Sequence, residues 1–144
     1  MRTTFMALAV AAIWGLSPIF EKMSLKDAST TVVMTIRLVF ISAVIAVFAV
    51  ATGKTPEMFQ VSGKTLTLIL VSGLLGGVIG LFMFFSALKQ GDASYVIPIA
   101  ATAPLFTALY AWVLLGEKIT TMRLAGIALI SIGAALVYLT DKAR

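Results

Sequence analysis

The sequence has 144 residues, of which 60% are hydrophobic and 12% are charged. A mean hydropathy of +1.08 leaves too little polar surface for a water-soluble domain, and so indicates a membrane protein. The formal net charge is +5, yet ten of the eleven lysines and arginines lie at the margins of apolar runs, where such side chains meet lipid headgroups. The sequence has no basic stripe with interleaved aromatic residues, so no nucleic-acid partner is expected.

Cysteine and histidine are both absent from the sequence. Their absence excludes disulfides, thiol catalysis, histidine general bases and the common zinc ligand sets. The acidic residues show no spacing typical of a carboxylate metal site. We therefore expect no enzymatic activity, no metal and no cofactor.

Five apolar runs follow one another along the chain, each long enough to cross a hydrocarbon core about 30 Å thick. They cover approximately residues 3–20, 30–52, 65–88, 93–115 and 124–140. The connections between them are short and polar, which leaves no room for an extramembrane domain. The sequence therefore predicts an all-α membrane protein with five transmembrane helices in a single domain, residues 1–144.

The first apolar run has a second interpretation, a secretory signal peptide with a cleavage-like site at residues 7–9. However, the run continues as far as Phe20 and further hydrophobic spans follow. We interpret it as the first transmembrane helix. Gly15 and Pro18 are expected to loosen its second half, just before Glu21.

Two ionisable residues lie within or beside the first two spans. Glu21 ends span one, and Arg37 lies about 10 Å inside span two at a helical rise of 1.5 Å per residue. Because these spans are antiparallel neighbours, the two charges could meet as an ion pair. Glu21 would then exchange a proton, while Arg37 would hold an anionic substrate or control the charge of the glutamate. Alternatively, Glu21 lies among the headgroups and Arg37 snorkels towards phosphate.

The fourth span contains two prolines, Pro98 and Pro104, inside its apolar run. A broken membrane helix is tolerated where neighbouring helices or a cavity satisfy the freed carbonyl groups, so this span is expected to line a pathway. Trp14 and Tyr95 lie beside proline-bearing segments and are candidates for stacking on an organic substrate. The alternative is an ordinary interfacial position, where tyrosine and tryptophan collect regardless of function.

Small residues recur at helical spacing in the third and fifth spans. The set comprises Ser72, Gly73, Gly76, Gly77 and Gly80 in the third span, and Gly126 and Gly133 in the fifth. Small residues at such spacing allow another helix to approach closely. We predict helix-packing faces here, the last of them at a dimer interface; packing without any role in transport is the alternative.

Several short segments resemble a known family. The C-terminal half reads DAS at residues 92–94, then the two prolines, LGEK at 115–118 and LAGIALI at 124–130. Together with Trp14-Gly15, Pro18 and Glu21-Lys22 in the first span, these segments resemble the EamA domain of the drug/metabolite transporter superfamily. The resemblance covers essentially the whole chain as one five-helix unit. It implies a multi-pass protein of the cell membrane, plasma or inner, that transports small metabolites or drug-like molecules, often outward.

Most members of that superfamily carry two such units in inverted orientation, whereas this chain resembles the single-unit members. The resemblance therefore implies a homodimer, parallel or antiparallel, embedded in the lipid bilayer and acting on a small-molecule substrate. The small multidrug-resistance proteins are similar only in part, since they have four helices and an acidic residue within the first. A structural or regulatory subunit of a larger membrane complex is the alternative function.

The distribution of lysine and arginine bears on membrane orientation. Five spans would place Arg2, Lys54, Lys64, Lys118 and Arg123 on one side, and Lys22, Lys26, Lys89, Lys142 and Arg144 on the other. Orientation follows an imbalance of these residues in short loops. Leaving Arg37 aside, the two sides are equal, so the sequence permits insertion in both orientations.

Overall fold

A computed structural model describes residues 2–142, and 87% of these residues are helical. The helices are α1 (Arg2–Asp27), α2 (Thr30–Ala51), α3 (Thr55–Met58), α4 (Gly63–Ser72), a π-helical segment (Gly73–Gly80), α5 (Leu81–Gln90), α6 (Ala93–Ala100), α7 (Ala103–Leu115) and α8 (Thr121–Lys142). These described residues contain no strand. Met1 and the end of the tail, including Arg144 of the charge count, lie outside them.

Five helical segments of the described chain are long and apolar enough to cross a membrane. They are Arg2–Asp27, Thr30–Ala51, Gly63–Gln90, Ala93–Leu115 and Thr121–Thr140. No more than 6% of the most hydropathic window of any span is buried within the chain, so the apolar exterior is suited to lipid. The predicted fold class, an all-α membrane protein with five spans, is confirmed.

The chain forms two compact units, Met1–Lys89 and Gln90–Arg144. In the first unit α1 packs against α2, and in the second α6 and α7 both pack against α8. The buried residues of the first unit are Pro18, Glu21, Leu25, Met34, Phe85 and Leu88. Because lipid tails are as apolar as the hydrophobic side chains among them, van der Waals packing and hydrogen bonds hold such helices together. The polar contacts of the first unit therefore carry particular weight.

The first helix differs from the sequence prediction around Pro18. The proline lacks a backbone donor and was expected to loosen the helix, but α1 continues through it to Asp27. Pro18 is buried, and packing against neighbouring helices allows a membrane helix to tolerate such a break. Glu21 therefore lies inside α1 rather than at the end of the span.

A two-residue connection brings α1 and α2 together as antiparallel neighbours. Ser29 caps α2, since its hydroxyl accepts a hydrogen bond of 3.3 Å from the backbone amide of Val32. Such short connections keep consecutive helices adjacent. Glu21 and Arg37 are sixteen residues apart with Ser29 midway between them, so the turn places both at the same depth.

The third span changes helix type in its middle. Residues Gly73–Gly80 form a π-helical segment, in which each backbone amide bonds to a carbonyl five residues earlier rather than four. The predicted four-residue repeat assumed a regular α-helix here. A Cβ built on Gly80 would lie 2.9 Å from the carbonyl oxygen of Leu75, closer than real Cβ atoms approach. Gly80 is therefore needed by the π-helical backbone itself.

The other predicted packing glycines have no close neighbour within the described chain. A Cβ added to Gly73, Gly76, Gly77, Gly126 or Gly133 would meet no atom within 4 Å outside the local helix. Among the described residues, these positions therefore lack the close helix contact that a packing face within one chain would require. Their packing role therefore stays a prediction for contact with another chain.

The fourth span is broken into α6 and α7 between its two prolines. Pro98 lies inside α6, and Pro104 lies in the first turn of α7, as suits a residue without a backbone donor. In the interruption, the hydroxyl of Thr102 donates a 2.8 Å hydrogen bond to the carbonyl of Ile99. The backbone amide of Thr102 bonds to the same carbonyl at 3.1 Å, so Thr102 closes a tight turn at the break. Gly116 then ends α7 with a left-handed φ of 66°.

Candidate functional site

Glu21 and Arg37 form an ion pair in the first unit. Nη1 of Arg37 in α2 donates a hydrogen bond to Oε1 of Glu21 in α1. Glu21 is only 8% exposed, and it is the one buried charged residue of the described chain. A buried carboxylate needs both a counter-charge and hydrogen bonds. Arg37 supplies the counter-charge and one hydrogen bond.

A second donor reaches the same carboxylate oxygen from within α1. The hydroxyl of Ser17 donates a 2.9 Å hydrogen bond to Oε1 of Glu21, four residues later. Residues four apart lie on the same face of a helix, so the serine and the glutamate both face α2. The carboxylate is thus held from its own helix and from the next.

The guanidinium of Arg37 also contacts the third span. Its central carbon lies 5.4 Å from the ring centroid of Phe85 in α5, within the range of a cation–π interaction. Phe85 is fully buried, which fixes the ring, whereas the Arg37 side chain is 34% exposed. Residues of three spans therefore hold the pair in place.

A groove between α1 and α2 opens beside the ion pair. Its volume is about 440 Å³, within the range of small-molecule sites. The lining combines the polar side chains of the pair with apolar ones, including Phe20, Ile36 and Phe40. We call this feature the α1–α2 groove.

A larger cavity, of about 790 Å³, lies in the second unit between α7, the following connection and α8. Its only charged lining residues are Glu117 and Lys118 in the connection, and the remainder is mainly apolar. A groove of that kind in a membrane protein is suited to lipid. The α1–α2 groove holds the buried carboxylate, so we place the candidate site there despite its smaller size.

Two lysines link the ends of α1 and α5. Nζ of Lys22 donates a 2.6 Å hydrogen bond to the carbonyl of Leu88, and Nζ of Lys89 donates a 2.9 Å hydrogen bond to the carbonyl of Ala28. Each cation thus reaches a carbonyl near the C-terminal end of the other helix, where positive charge is favourable. Because Ala28 also lines the α1–α2 groove, Lys89 lies at its edge.

The other predicted site residues lie elsewhere. Trp14 is 73% exposed on α1 and is not part of the lining of the α1–α2 groove. Tyr95 and Pro98 are half-buried in α6. Pro104 lines a separate cavity of about 360 Å³ in the second unit. The structure therefore brings Glu21 and Arg37 together but leaves Trp14 outside their groove.

Sequence reasoning missed four residues that hold the site, namely Ser17, Phe85, Lys22 and Lys89. Ser17 could have been found, because a hydroxyl one helical turn before a buried glutamate is a natural donor. The others depend on how the third span packs, which periodicity does not reveal. Within the described residues no group of three or more acidic, histidine or cysteine side chains could hold a metal ion.

These features define a class, a polytopic membrane protein with an ion pair held between its spans. The chain belongs to the EamA-like transporter family, whose model matches residues 1–139. Family membership confirms the resemblance seen in the sequence and makes the protein a membrane transporter. Members of this family are transporters rather than enzymes, which fits the absence of enzymatic activity expected from the sequence.

Individual relatives agree with this assignment. The chain is 35% identical, over 92% of its length and 93% of the relative, to an uncharacterized transporter from the cobO 3′ region of a Sinorhizobium species. It is 26% identical to an uncharacterized protein of Methanocaldococcus jannaschii, over 94% of this chain and 96% of that one. An uncharacterized transporter of Clostridium kluyveri is 24% identical over 94% of this chain but only 43% of its own length. No solved structure matches the chain significantly.

Proposed function

We propose that the protein is a secondary transporter of small organic molecules in the cell membrane, plasma or inner, and that it acts as a homodimer without enzymatic activity. The observation that carries this proposal is the Glu21–Arg37 pair beside the α1–α2 groove. Ionisable groups inside membrane spans are costly, and they commonly mark substrate or proton routes.

Glu21 and Arg37 have complementary roles in this proposal. The glutamate exchanges a proton as the groove alternates between the two sides of the membrane, and the arginine attracts substrate or controls the glutamate's charge. Phe85 and Ser17 hold the two groups in register. Tyr95, Pro98 and Pro104 keep their predicted roles, because the broken fourth span supplies the irregular backbone that transport pathways use.

The homodimer is supported by the comparison with the Clostridium kluyveri relative. The match covers 43% of that protein, so the Clostridium kluyveri protein is long enough to contain a second unit of similar size. Transporters of this kind commonly place the substrate between two related halves. Two copies of the present chain would supply two such halves, in parallel or antiparallel arrangement.

Reconstitution of the protein alone into liposomes tests the proposal. A thermal-shift screen in detergent would select small metabolites that stabilise the protein, and their flux would be measured with and without an imposed pH gradient. Flux that requires both Glu21 and Arg37 supports the proposal. Stabilisation without any flux under either condition would instead favour a structural or regulatory subunit.

A further inference from the structure

We infer that the α1–α2 groove binds a small amphipathic organic anion, with a carboxylate head on Arg37 and an apolar body against the groove wall. This inference rests on the proposed transport function of the same groove and names the substrate class. It follows from three features of the first unit: the unequal exposure of the paired charges, the basic edge of the groove and the character of its wall.

The paired charges are not equally accessible from the groove. The Glu21 side chain is 10% exposed and its Oε1 already accepts two hydrogen bonds, whereas the Arg37 side chain is 34% exposed. A guanidinium has five N–H donors in a planar fork. The bond to Glu21 uses Nη1, and within the described chain the other recorded contact of Arg37 is with the face of Phe85. An incoming carboxylate can therefore share the guanidinium without breaking the internal pair.

Positive charge also collects at one end of the groove. Lys89 donates to the carbonyl of Ala28, the lining residue nearest the α1–α2 turn, and the Arg37 guanidinium lines the same groove. A cleft edged by one sign of charge raises the local concentration of the opposite ion. This edge attracts anions and repels amines.

The apolar wall of the groove favours a ligand that carries an apolar group as well as a charge. Phe20, Ile36 and Phe40 present apolar surface beside the guanidinium, and an inorganic anion would leave this surface uncovered. The groove volume of about 440 Å³ suits a small molecule rather than the two acyl chains of a phospholipid. A compact carboxylate with an aromatic or aliphatic body fits both requirements.

Three probes of nearly equal size separate the ligand classes: phenylacetate, phenylacetamide and phenethylamine. Isothermal titration calorimetry on the detergent-purified protein should show at least about tenfold tighter binding of phenylacetate, since a hydrogen bond to a charged group contributes 1.5–3 kcal/mol. Arg37→Leu should weaken phenylacetate binding about 10- to 100-fold, and Arg37→Lys should weaken it less. Arg123→Leu removes an arginine from the second unit and should leave binding unchanged.

Tighter binding of phenethylamine, or equal binding of phenylacetate by wild type and both Arg37 variants, would overturn the inference. The lysine variant keeps the test valid where the leucine variant fails to fold. Dioleoyl phosphatidate that binds through Arg37 and is not displaced by phenylacetate would show a lipid headgroup site, which also overturns it.

Flux in proteoliposomes separates this inference from the proposed function. Phenylacetate binding through Arg37 with no flux of any probe would leave the anion site standing and contradict transport. Flux of phenethylamine but not of phenylacetate would support transport and contradict the anion class. Arg37-dependent flux of phenylacetate supports both.

Discussion

Arg37 and Glu21 pair across adjacent antiparallel helices, with the turn at Ser29 midway between them in sequence. Their partnership follows from simple geometry, because equal helical lengths on either side of a short turn reach the same depth. The carboxylate is almost completely buried, whereas the guanidinium is one-third exposed. Removing one charge of the pair should therefore affect the stability of the protein differently from removing both charges.

Arg37→Leu should abolish transport and also lower stability. Leucine is favourable in lipid, but it leaves the carboxylate of Glu21 buried without a counter-charge. Breaking a fully buried pair costs 3–5 kcal/mol, and the partial exposure of Arg37 reduces this to about 1–3 kcal/mol by solvent screening. The measurement is the Tm in detergent together with flux in proteoliposomes.

The double variant Glu21→Gln, Arg37→Leu is the matched control for this experiment. It removes both charges, so its Tm should recover most of the loss while transport stays absent. Arg37→Lys should retain part of the activity, because lysine keeps the charge but lacks the planar fork. Full transport activity in the leucine variant would show that Arg37 only snorkels towards lipid phosphate and has no role in transport.

Ser17→Ala should weaken the hold on Glu21. The substitution removes one of the two hydrogen bonds to Oε1, a loss of about 0.5–1.5 kcal/mol for a typical hydrogen bond. We expect a lower Tm and slower transport than in the wild type. Thr35→Val is the control, because that hydroxyl bonds only to the carbonyl of Thr31 in its own helix. Equal effects of the two substitutions would contradict a specific role for Ser17.

The sequence offered the ion pair as one of two interpretations, because both of its determinants are local. Charge inside an apolar run and distance from a polar turn can be read without any tertiary information. The contact of Arg37 with Phe85 could not be predicted, since it depends on how the third span packs beside the first two. The π-helical segment was missed for a similar reason. Its glycines suggested a packing stripe, and only the backbone hydrogen-bond pattern distinguishes a π-helix from an α-helix.

The prolines also show what the sequence pattern could not predict. Pro98 and Pro104 flank a real interruption between α6 and α7, whereas α1 continues through Pro18. The residue type is the same, but the local surroundings differ. Pro18 is buried in a continuous helix, while the hydroxyl of Thr102 bonds to the carbonyl of Ile99 at the break in the fourth span. Neither the burial of Pro18 nor this local contact is visible in the pattern of apolar residues.

Loss of Lys22 or Lys89 should loosen the junction between α1 and α5. Each lysine donates to a carbonyl near the end of the opposite helix, so methionine at either position should cost about 1 kcal/mol. Hydrogen exchange of the amides near Ala28 and Leu88 would report the local opening. Lys26→Met removes an exposed lysine from the same end of α1 and is the control. Unchanged exchange in both methionine variants would contradict the linkage.

Gly80 and Gly76 should respond differently to alanine. A Cβ on Gly80 would lie 2.9 Å from the carbonyl oxygen of Leu75, whereas one on Gly76 meets nothing within 4 Å. Gly80→Ala should therefore lower the Tm. Gly76→Ala should be neutral or stabilising, by up to about 1 kcal/mol from the higher helix propensity of alanine. Equal Tm values for the two variants would contradict the backbone constraint at Gly80.

Gly76→Leu extends the comparison to the predicted contact with another chain. A Cβ at Gly76 meets no atom within 4 Å in the single chain, so we expect the Tm of the monomer to change little. A helix of a second copy packed on this face would be displaced, and the dimer fraction in cross-linking should fall. An unchanged dimer fraction would place the dimer interface elsewhere.

The last prediction concerns membrane orientation. Leaving Arg37 aside, the loops and chain ends together carry equal numbers of lysine and arginine on the two sides, and orientation follows an imbalance that is absent here. We expect the chain to insert both ways and to form an antiparallel homodimer, which would supply two inverted halves around one pathway. A tag at the C-terminus should therefore be labelled from both sides of intact cells. Two lysines added to the loop at residues 53–64 should shift the labelling to one side, whereas two serines at the same position should not. Labelling confined to one side in the unmodified protein would contradict dual insertion and favour a parallel dimer or a separate partner of opposite orientation.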